Sequence, residues 1–356
     1  MDIIKLLKSY VDKEQLNIEF SDSDIKLLLE QQLQTLLYPV TQDKKYKSYY
    51  VSWVLKQEMF YSLQDEITNI FNSNNINHIY FKGSILSKIY DDPSVRTRGD
   101  IDLYIDSNDF NKAKSLLLDN GYLPDKDNLD CMHHEAVCKN GIEVELHFRM
   151  LDSDMDMTSL KLFESPFELC ELSDNNLYYF SDTYHLIYCI IHFARHLRHG
   201  AGLRYILDFY YMFLKTKIDF SLLHKEINNL NLNVLYSNII NAIRYIFDKD
   251  FDNSIESKNI KFFIDYMMQY GIHGNSNNDT TIMASHNNKL KYFMVRVFLL
   301  NNAYRKTRYP ILYHWYLYPI CLIKHWLFLI THKLGSFFKF IFGRNKNKKL
   351  YKDLGI

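Results

Sequence analysis

The apolar residues of this chain change their spacing twice, and this change limits the folds that the chain can adopt. Helical spacing runs through residues 2–12, 22–38 and 47–73. From 78 to 148 short strand-like runs alternate with helical runs, and helical spacing alone returns after about residue 155. We therefore predict an α+β fold, in which a small mixed sheet is flanked by N-terminal helices and a C-terminal helical domain.

The length of 356 residues is enough for more than one domain. The change in spacing divides the chain into four predicted segments. These are an N-terminal helical segment (1–74), a core that contains the strands (75–155), a helical domain (156–308) and an aromatic and basic tail (309–356). The helices predicted after the core cover 182–215, 219–248, 256–270 and 286–305.

The charges of the whole chain balance, with 42 Lys and Arg against 42 Asp and Glu. A non-specific grip on nucleic acid through bulk positive charge is therefore disfavoured. The positive charge is concentrated near the end of the chain, where residues 333–356 contain seven Lys or Arg and the single Asp353. We expect an anionic partner that is held by charge alone to meet this tail.

Aromatic residues are interleaved with Lys and Arg in the same tail. This pattern is typical of a helix that lies on an anionic membrane surface, so peripheral membrane contact is one prediction. The alternative is that the aromatic side chains pack under the helical domain and that only the Lys-rich run NKNKK is free. The aromatic residues concerned are Trp315, Trp326, Phe328, Phe337, Phe338, Phe340 and Phe342.

Three features bear on the cellular location of the protein. The five cysteines are widely spaced and form no CxxC pair, which argues against a disulfide framework and for a reducing compartment. The first residues, MDIIKLLKSYVDKE, lack the pattern of an export signal, so a cytoplasmic location is expected. The 15 residues between Arg308 and Lys324 carry no Lys, Arg, Asp or Glu, but they are too few to span a bilayer.

Acidic residues alternate with apolar residues in two of the predicted strands. Asp100 and Asp102 lie in DIDLYID, and Glu143 and Glu145 precede His147 in IEVELHF. Side chains two positions apart on a strand project from the same face, so each pair of carboxylates can share a cation. Three acids on adjacent strands suit a hard cation such as Mg²⁺ or Mn²⁺. The alternative for each run is a half-exposed strand with a polar outer face.

A buried strand is predicted to run directly into Lys82, Gly83 and Ser84, and a helix follows. A glycine at such a turn lets the backbone approach a ligand closely, and the amides at a helix start attract phosphate. Arg96 and Arg98 follow in a basic turn before the strand that carries the aspartates. These five residues therefore predict phosphate binding, while the alternative for the first three is a simple helix N-cap.

The order of these motifs resembles the DNA polymerase β nucleotidyltransferase superfamily, in which a Gly-Ser turn, a helix, an Asp-x-Asp strand and a third acid follow one another. More narrowly, the chain resembles a bacterial group of uncharacterised nucleotidyltransferases. That group carries K-G, R-x-x-G-D-I-D-L, A-x-x-L-L-x-x-G-Y and E-L-H at similar spacing. The corresponding runs here are KGSILSKIYDDPSVRTRGDIDLYID, a helix that ends in LLLDNGY, and VELHF.

This resemblance implies a polymerase β-like nucleotidyltransferase domain in residues 75–155, with an NTP as substrate. It implies that Gly83 and Ser84 contact the triphosphate and that Asp100 and Asp102 bind two Mg²⁺ ions. The implied reaction is an in-line displacement at the α-phosphorus, with pyrophosphate as the leaving group.

The resemblance also implies a third acid, for which Glu143 and Glu145 compete because they lie on one strand face. The E-L-H context favours Glu145. The Gly-Ser-Asp turn that is common in the superfamily is replaced here by Arg98, Gly99 and Asp100. This difference implies that a guanidinium takes over a phosphate contact from a hydroxyl.

Further candidates for substrate contact lie next to these motifs. His147 either contacts the acceptor or a phosphate, or is a buried strand histidine. His192 and His196 share one face of a predicted helix, and Arg204 and Asp208 follow. We predict a basic rim here that holds substrate phosphates, with a solvated helix face as the alternative; a zinc site is disfavoured because the HExxH pattern is missing. Asp208 is expected either to pair with Arg204 or to orient a substrate.

The sequence thus predicts a metal-dependent nucleotidyltransferase that moves a nucleoside monophosphate from an NTP to an acceptor. The group that it resembles is often linked with cell-surface polysaccharide genes, which implies a sugar, lipid-linked or small-molecule acceptor, with a protein acceptor as the alternative. A different class of function is a nucleotide-binding or scaffold protein that keeps the fold without turnover. Magnesium-dependent nucleotide binding separates the two classes, because a degenerate site should not need the metal.

Overall fold

The computed structural model describes most of the chain. The described ranges are 2–125, 133–152, 155–198, 200–248, 257–269, 271, 294, 297–300, 302–342 and 354–355. Cys131 and most of the helix predicted over 286–305 lie outside these residues, as do the side chains of Phe337, Phe338, Phe340 and Phe342.

Helices open the chain, as the apolar spacing predicts. They are α1 (Asp2–Asp12), α2 (Asp22–Glu30), α3 (Leu37–Thr41) and α4 (Lys47–Ser73). Ser21 caps α2, since its Oγ accepts a hydrogen bond from Asp24 N at 3.2 Å. The prediction of one helix over 22–38 is wrong, because α2 ends before Gln32, which adopts a left-handed φ of 54°.

The described strands form one mixed sheet. They are β1 (His78–Tyr80), β2 (Asp100–Ile105), β3 (Leu123–Pro124), β4 (His134–Lys139), β5 (Ile142–His147), β6 (Cys170–Asp174) and β7 (Leu177–Phe180). Their order is β3-β4-β5-β2-β1-β7-β6. In the centre of the sheet, β2 runs parallel to β5 and antiparallel to β1. The prediction of an α+β fold with a mixed sheet is confirmed.

The hairpin of β6 and β7 was not expected from the sequence, which predicts helices alone after about residue 155. This prediction is wrong for residues 170–180, because most of β6 is exposed at the edge of the sheet and lacks a clear apolar alternation. β7 pairs in parallel with β1. The sheet therefore crosses the segment boundary predicted at residues 155 and 156.

The other described α-helices connect the strands or follow the sheet. They are α5 (Gly83–Ile89), α6 (Phe110–Asp119), α7 (Met157–Leu162), α8 (Asp182–Leu197), α9 (Arg204–Lys215), α10 (Phe220–Asn229), α11 (Asn233–Phe247), α12 (Ser257–Gln269), α13 (Asn302–Arg308) and α14 (Tyr318–Phe342). Two predicted helices are each divided in two, at Gly200 with a φ of 103° and at Asn231 with a φ of 57°.

The two faces of the sheet belong to two hydrophobic clusters. Ile101 and Leu103 of β2 pack in a cluster with α4 and α6, whereas Tyr104 belongs to the cluster that contains α8 and α9. Because side chains alternate along a strand, Asp100 and Asp102 share the face of Tyr104. The acids of β2 therefore lie on the side of the sheet that faces the cluster of α8 and α9.

The cysteines of the described residues are not paired with one another. Cys138, Cys170, Cys189 and Cys321 are free thiols.

None of the helices in the described part of the chain combines the length and the hydropathy that a bilayer crossing requires.

Candidate active site

The parallel pairing of β2 with β5 brings the acids of the two strands together. Asp102 lies opposite Glu145 in the register, and Asp100 lies opposite Glu143. The two glutamates alternate with the buried residues Val144 and Leu146, as the sequence pattern predicts. Four acidic residues thus form two rows on one face of the sheet.

Two basic side chains lie among these acids. Lys82 Nζ is 2.6 Å from Asp102 Oδ1. His147 Nε2 is 3.2 Å from the same oxygen and 3.0 Å from Glu145 Oε2. Burial opposes the charged forms of His147 and Glu145. The hydrogen bonds to Asp102 and Glu145 nevertheless raise the pKa of His147, and the hydrogen bond with His147 holds the pKa of Glu145 well below its usual range.

Asp100 is the acid whose charge is least well matched. Burial, together with the charges of Asp102 and Glu145, raises the pKa of Asp100 to about 7. Lys82 acts in the opposite direction, but it does not offset these effects. The cluster therefore carries more negative charge than its two basic side chains can neutralise near neutral pH.

This donor set fits a divalent cation. Asp102, Glu145 and His147 offer ligand atoms that all lie within 4.8 Å of one another. Carboxylate oxygens suit Mg²⁺ and Mn²⁺, and an added positive charge would relieve the repulsion that raises the pKa of Asp100. His147 replaces Asp100 in this group, compared with the set of three acids that the sequence suggested.

The turn between β1 and α5 is strained at Lys82 and crowded at Gly83. Lys82 adopts a φ of 48°, which a non-glycine residue rarely does, and its backbone N–H donates to His185 Nε2 at 3.1 Å. A Cβ at Gly83 would lie 3.0 Å from Arg96 Nη1. A larger side chain here would have to displace the guanidinium of Arg96 by a few tenths of an ångström. Ser84 is fully buried, and no hydrogen-bond partner for its Oγ exists in the described residues.

Arg98 lies beside this turn with its charge largely unmatched. Its guanidinium is 4.2 Å from the ring centroid of Phe60 and 5.5 Å from that of Tyr61. Its Nη1 donates to Gly83 O at 3.4 Å, while Nε and Nη2 are buried without a hydrogen-bond partner in the described residues. Burial and the nearby charge of Arg96 lower the pKa of Arg98 to about 10.

Arg96 and Asp208, both candidates for substrate contact, pair with each other. Arg96 Nε lies 2.7 Å from Asp208 Oδ1 and Nη2 lies 3.0 Å from Oδ2. Tyr90 donates to the same carboxylate at 2.7 Å. Arg204 donates to Thr97 O at 2.8 Å. These buried contacts tie α9 to the basic turn.

A comparison with known protein families identifies the chain. The family model described as "Uncharacterised nucleotidyltransferase" matches residues 24–248. The chain belongs to this family of nucleotidyltransferases. It is accordingly an enzyme that transfers a phosphorus-containing group, with an NTP as substrate. Searches of the curated proteins and of the solved structures found no significant match.

In this nucleotidyltransferase, His192 and His196 lie on α8 with their Nε2 atoms 3.1 Å apart. The ring of His192 stacks on that of Tyr188 at 6.1 Å, and Tyr188 contacts Phe81 next to Lys82. Burial and the charge of Lys82 hold the pKa of His192 well below its usual range. His192 is thus close enough to Lys82 and His147 for their charges to lower its pKa.

Three histidines near the site were missed in the sequence. His185 of α8 accepts the hydrogen bond from Lys82 N, and burial and the charge of Arg96 lower its pKa to about 4. His133 and His134 lie next to His147, with ring centroids 5.4 and 4.9 Å from it. The two-residue turn Asn140-Gly141 was a usable signal for His134, because a tight hairpin fixes its register and places His134 opposite His147.

Proposed function

We propose that this nucleotidyltransferase is metal-dependent and moves a nucleoside monophosphate from an NTP to a hydroxyl-bearing acceptor. The observation that carries the proposal is the pairing of Asp102 with Glu145 beside Asp100, whose pKa is raised to about 7. A fold that holds unmatched carboxylates in a buried cluster pays for them in stability unless a cation binds there. Asp100, Asp102 and Glu145 are the catalytic and metal-binding residues of the proposal, with His147 beside them.

The proposed phosphate contacts come from the turn that precedes the acids. Lys82, Gly83, Ser84 and Arg98 are the residues we assign to the nucleotide. Lys82 and Arg98 supply positive charge, and Ser84 Oγ and Arg98 Nε and Nη2 are buried without a hydrogen-bond partner in the described residues. Arg96 donates a hydrogen bond to Asp208, and its guanidinium packs against Gly83 of this turn. Asp208 and Arg204 are therefore proposed to position the turn, while His192 and His196 remain proposed substrate contacts.

The chemistry follows from this arrangement. An oxygen of the acceptor attacks the α-phosphorus as the bond to pyrophosphate breaks. A bound Mg²⁺ or Mn²⁺ would stabilise the negative charge on the entering and leaving oxygens. Lys82 orients Asp102 through its contact of 2.6 Å, and its ammonium group can also neutralise phosphate charge.

For the acceptor we propose a sugar, a lipid-linked or small molecule or a protein, with a role in cell-surface polysaccharide synthesis. The support is the family resemblance, together with the neutral overall charge, which disfavours nucleic acid.

The decisive test uses each α-³²P-labelled NTP with Mg²⁺, in the presence and absence of cell extract. Wild-type protein should transfer label, and the Asp100→Ala, Asp102→Ala double variant should not. The matched control is Asp119→Asn, which changes an exposed carboxylate on α6 and should transfer label like the wild type. Absence of both label transfer and metal-dependent nucleotide binding in the wild type would favour the scaffold function instead.

We also propose that α14 places the protein on the cytoplasmic face of a membrane. This helix exposes an apolar stripe at helical spacing, and Trp315, just before it, is 83% exposed. Lys324 lies beside the stripe, and the Lys-rich end of the chain follows. Apolar and cationic groups combined in this way fit an anionic lipid surface. The stripe consists of Ile320, Ile323, Leu327 and Ile330.

Co-sedimentation with vesicles tests the membrane proposal. The protein should sediment with vesicles that contain phosphatidylglycerol and should remain in the supernatant with neutral vesicles. Leu327→Glu should abolish the sedimentation, whereas Leu214→Glu, which changes an equally exposed leucine on α9, should leave it unchanged. Equal sedimentation of the two variants would contradict the proposal.

A further inference from the structure

A group of three buried histidines lies next to the acid cluster, at the end of the hairpin where β4 begins and β5 ends. His133, His134 and His147 each offer a ring nitrogen, and these nitrogens all lie within 4.8 Å of one another. The three residues are at most 8% exposed. Their chemistry differs from that of the acids, because imidazole suits zinc, copper, nickel and iron, whereas carboxylates suit magnesium and manganese.

Each ring has one nitrogen that faces a carboxylate. His133 Nδ1 is 3.6 Å from Asp152 Oδ2, and His134 Nε2 is 3.5 Å from Glu145 Oε1. His147 Nε2 contacts Glu145 as described above. Metal-binding histidines are usually oriented in this way, since a carboxylate that faces one ring nitrogen fixes the tautomer in which the other carries a lone pair.

The other nitrogens of His133 and His134 face each other, with His133 Nε2 and His134 Nδ1 3.1 Å apart. His147 Nδ1 is buried without a hydrogen-bond partner in the described residues. The separation of 3.1 Å lets the nitrogens of His133 and His134 share either a proton or a metal ion. Zinc–nitrogen bonds of about 2.0–2.1 Å in a tetrahedral site place two ligand nitrogens about 3.3 Å apart, which is close to this separation.

We infer that His133, His134 and His147 form a second metal site, which binds a transition-metal ion such as Zn²⁺ and does not select Mg²⁺. His147 also contacts Asp102 and Glu145, so an ion at this site would lie beside the acid cluster and would fix the position of His147. The inference concerns metal binding alone. It stands whether or not the acids carry nucleotidyl transfer.

The experiment uses the full-length protein without a histidine tag, stripped of metal with EDTA and then titrated with Co²⁺. Cobalt reports nitrogen coordination through its visible ligand-field absorption, and Zn²⁺ should displace it and remove this absorption, whereas excess Mg²⁺ should not. With excess Mg²⁺ present to occupy the acid cluster, the expected stoichiometry is one Co²⁺ ion per chain. His134→Gln should weaken Zn²⁺ binding at least about 10-fold, because loss of a ligand costs no less than loss of a residue that orients one.

The chain provides a matched control. His192 and His196 are a second pair of histidines with ring nitrogens 3.1 Å apart, so the double variant His192→Ala, His196→Ala tests for adventitious binding by neighbouring imidazoles. This variant should bind Co²⁺ like the wild type. A cobalt spectrum that survives His134→Gln, or that is lost in the control variant, would overturn the inference.

X-ray absorption of the zinc-loaded wild-type protein keeps the test independent of how the variants fold. Three imidazole ligands are expected. A spectrum with oxygen ligands alone, or no retained zinc after dialysis, would also overturn the inference. Label transfer from NTPs plays no part in either measurement, so failure of the zinc site and failure of the proposed reaction are distinguishable.

Discussion

Two clusters of buried charge in this molecule differ in how completely their charges are matched. In the cluster around Asp208, Arg96 forms two hydrogen bonds with the carboxylate and Tyr90 forms a third. The opposing charge of Asp208 outweighs the effect of burial and raises the pKa of Arg96 above its usual range. We call Arg96, Tyr90 and Asp208 the Asp208 network. Its ion pair is buried, and the carboxylate of Asp208 balances the charge of Arg96.

The acid cluster on β2 and β5 is different, because its negative charges outnumber the basic groups. Lys82 forms an ion pair with Asp102, and His147 forms one with Glu145. The pKa of Asp100 is raised to about 7 by burial and by the other acids. Buried charges that neutralise one another stabilise one conformation, whereas an excess of buried negative charge favours binding of a cation. Burial of charge alone therefore does not identify a functional site; the balance of charge does.

The largest expected effect comes from the unmatched cluster. Asp102→Asn should lower the rate of label transfer about 10³-fold, equivalent to about 4 kcal/mol of transition-state stabilisation, because it removes a proposed metal ligand. The rate is measured with the preferred NTP at saturating Mg²⁺. Asp119→Asn is the control, and a loss of less than about tenfold in Asp102→Asn would place catalysis elsewhere.

A change in the Asp208 network should lower the free energy of unfolding. Asp208→Ala leaves the buried charge of Arg96 without its carboxylate, so the free energy of unfolding should fall by about 3–5 kcal/mol. Urea denaturation of the purified variant measures this change. Asp119→Ala, on the surface of α6, should stay within about 0.5 kcal/mol of the wild type. An equally small effect of Asp208→Ala would remove the distinction between the two clusters.

The raised pKa of Asp100 makes the stability of the protein depend on pH. The pKa of Asp100 is about 7 in the folded protein and about 3.9 in the unfolded chain, so the folded state binds the proton more tightly and loses stability as the pH rises between these values. Asp100→Asn removes this loss. It should therefore stabilise the protein more at pH 8 than at pH 5, by about 2–3 kcal/mol, in urea denaturation with EDTA. A gain that is the same at both pH values would argue against the unmatched charge.

The smallest effect should come from one hydrogen bond of the matched network. Tyr90→Phe removes the donor to Asp208 but keeps the ring that stacks on Tyr211 at 4.3 Å. The free energy of unfolding should fall by about 1 kcal/mol, with label transfer unchanged. Thermal and urea denaturation measure the first quantity, and the NTP assay measures the second. A large loss of transfer would show that the Asp208 network acts directly in catalysis.

Much of the fold is predictable because its signals are local. The apolar spacing indicates α1, α4 and α12 within a few residues, and the Asn140-Gly141 turn indicates the hairpin of β4 and β5, where both residues adopt a positive φ. The strands β6 and β7 were missed because the exposed residues of β6 show no clear alternation. The pair of Arg96 and Asp208 could not be predicted, since 112 residues separate them and no local pattern marks the partner.

The sequence by itself determined that acids project from one face of each of two strands, because alternation along a strand is a property of the local backbone. Only the tertiary structure decided which acids meet. Asp102 lies opposite Glu145 because the buried residues between the acids, Ile101 and Val144, pair with each other in the parallel register of β2 and β5. That register depends on packing between strands that are not consecutive in the chain, and a one-residue shift would turn every acid to the other face.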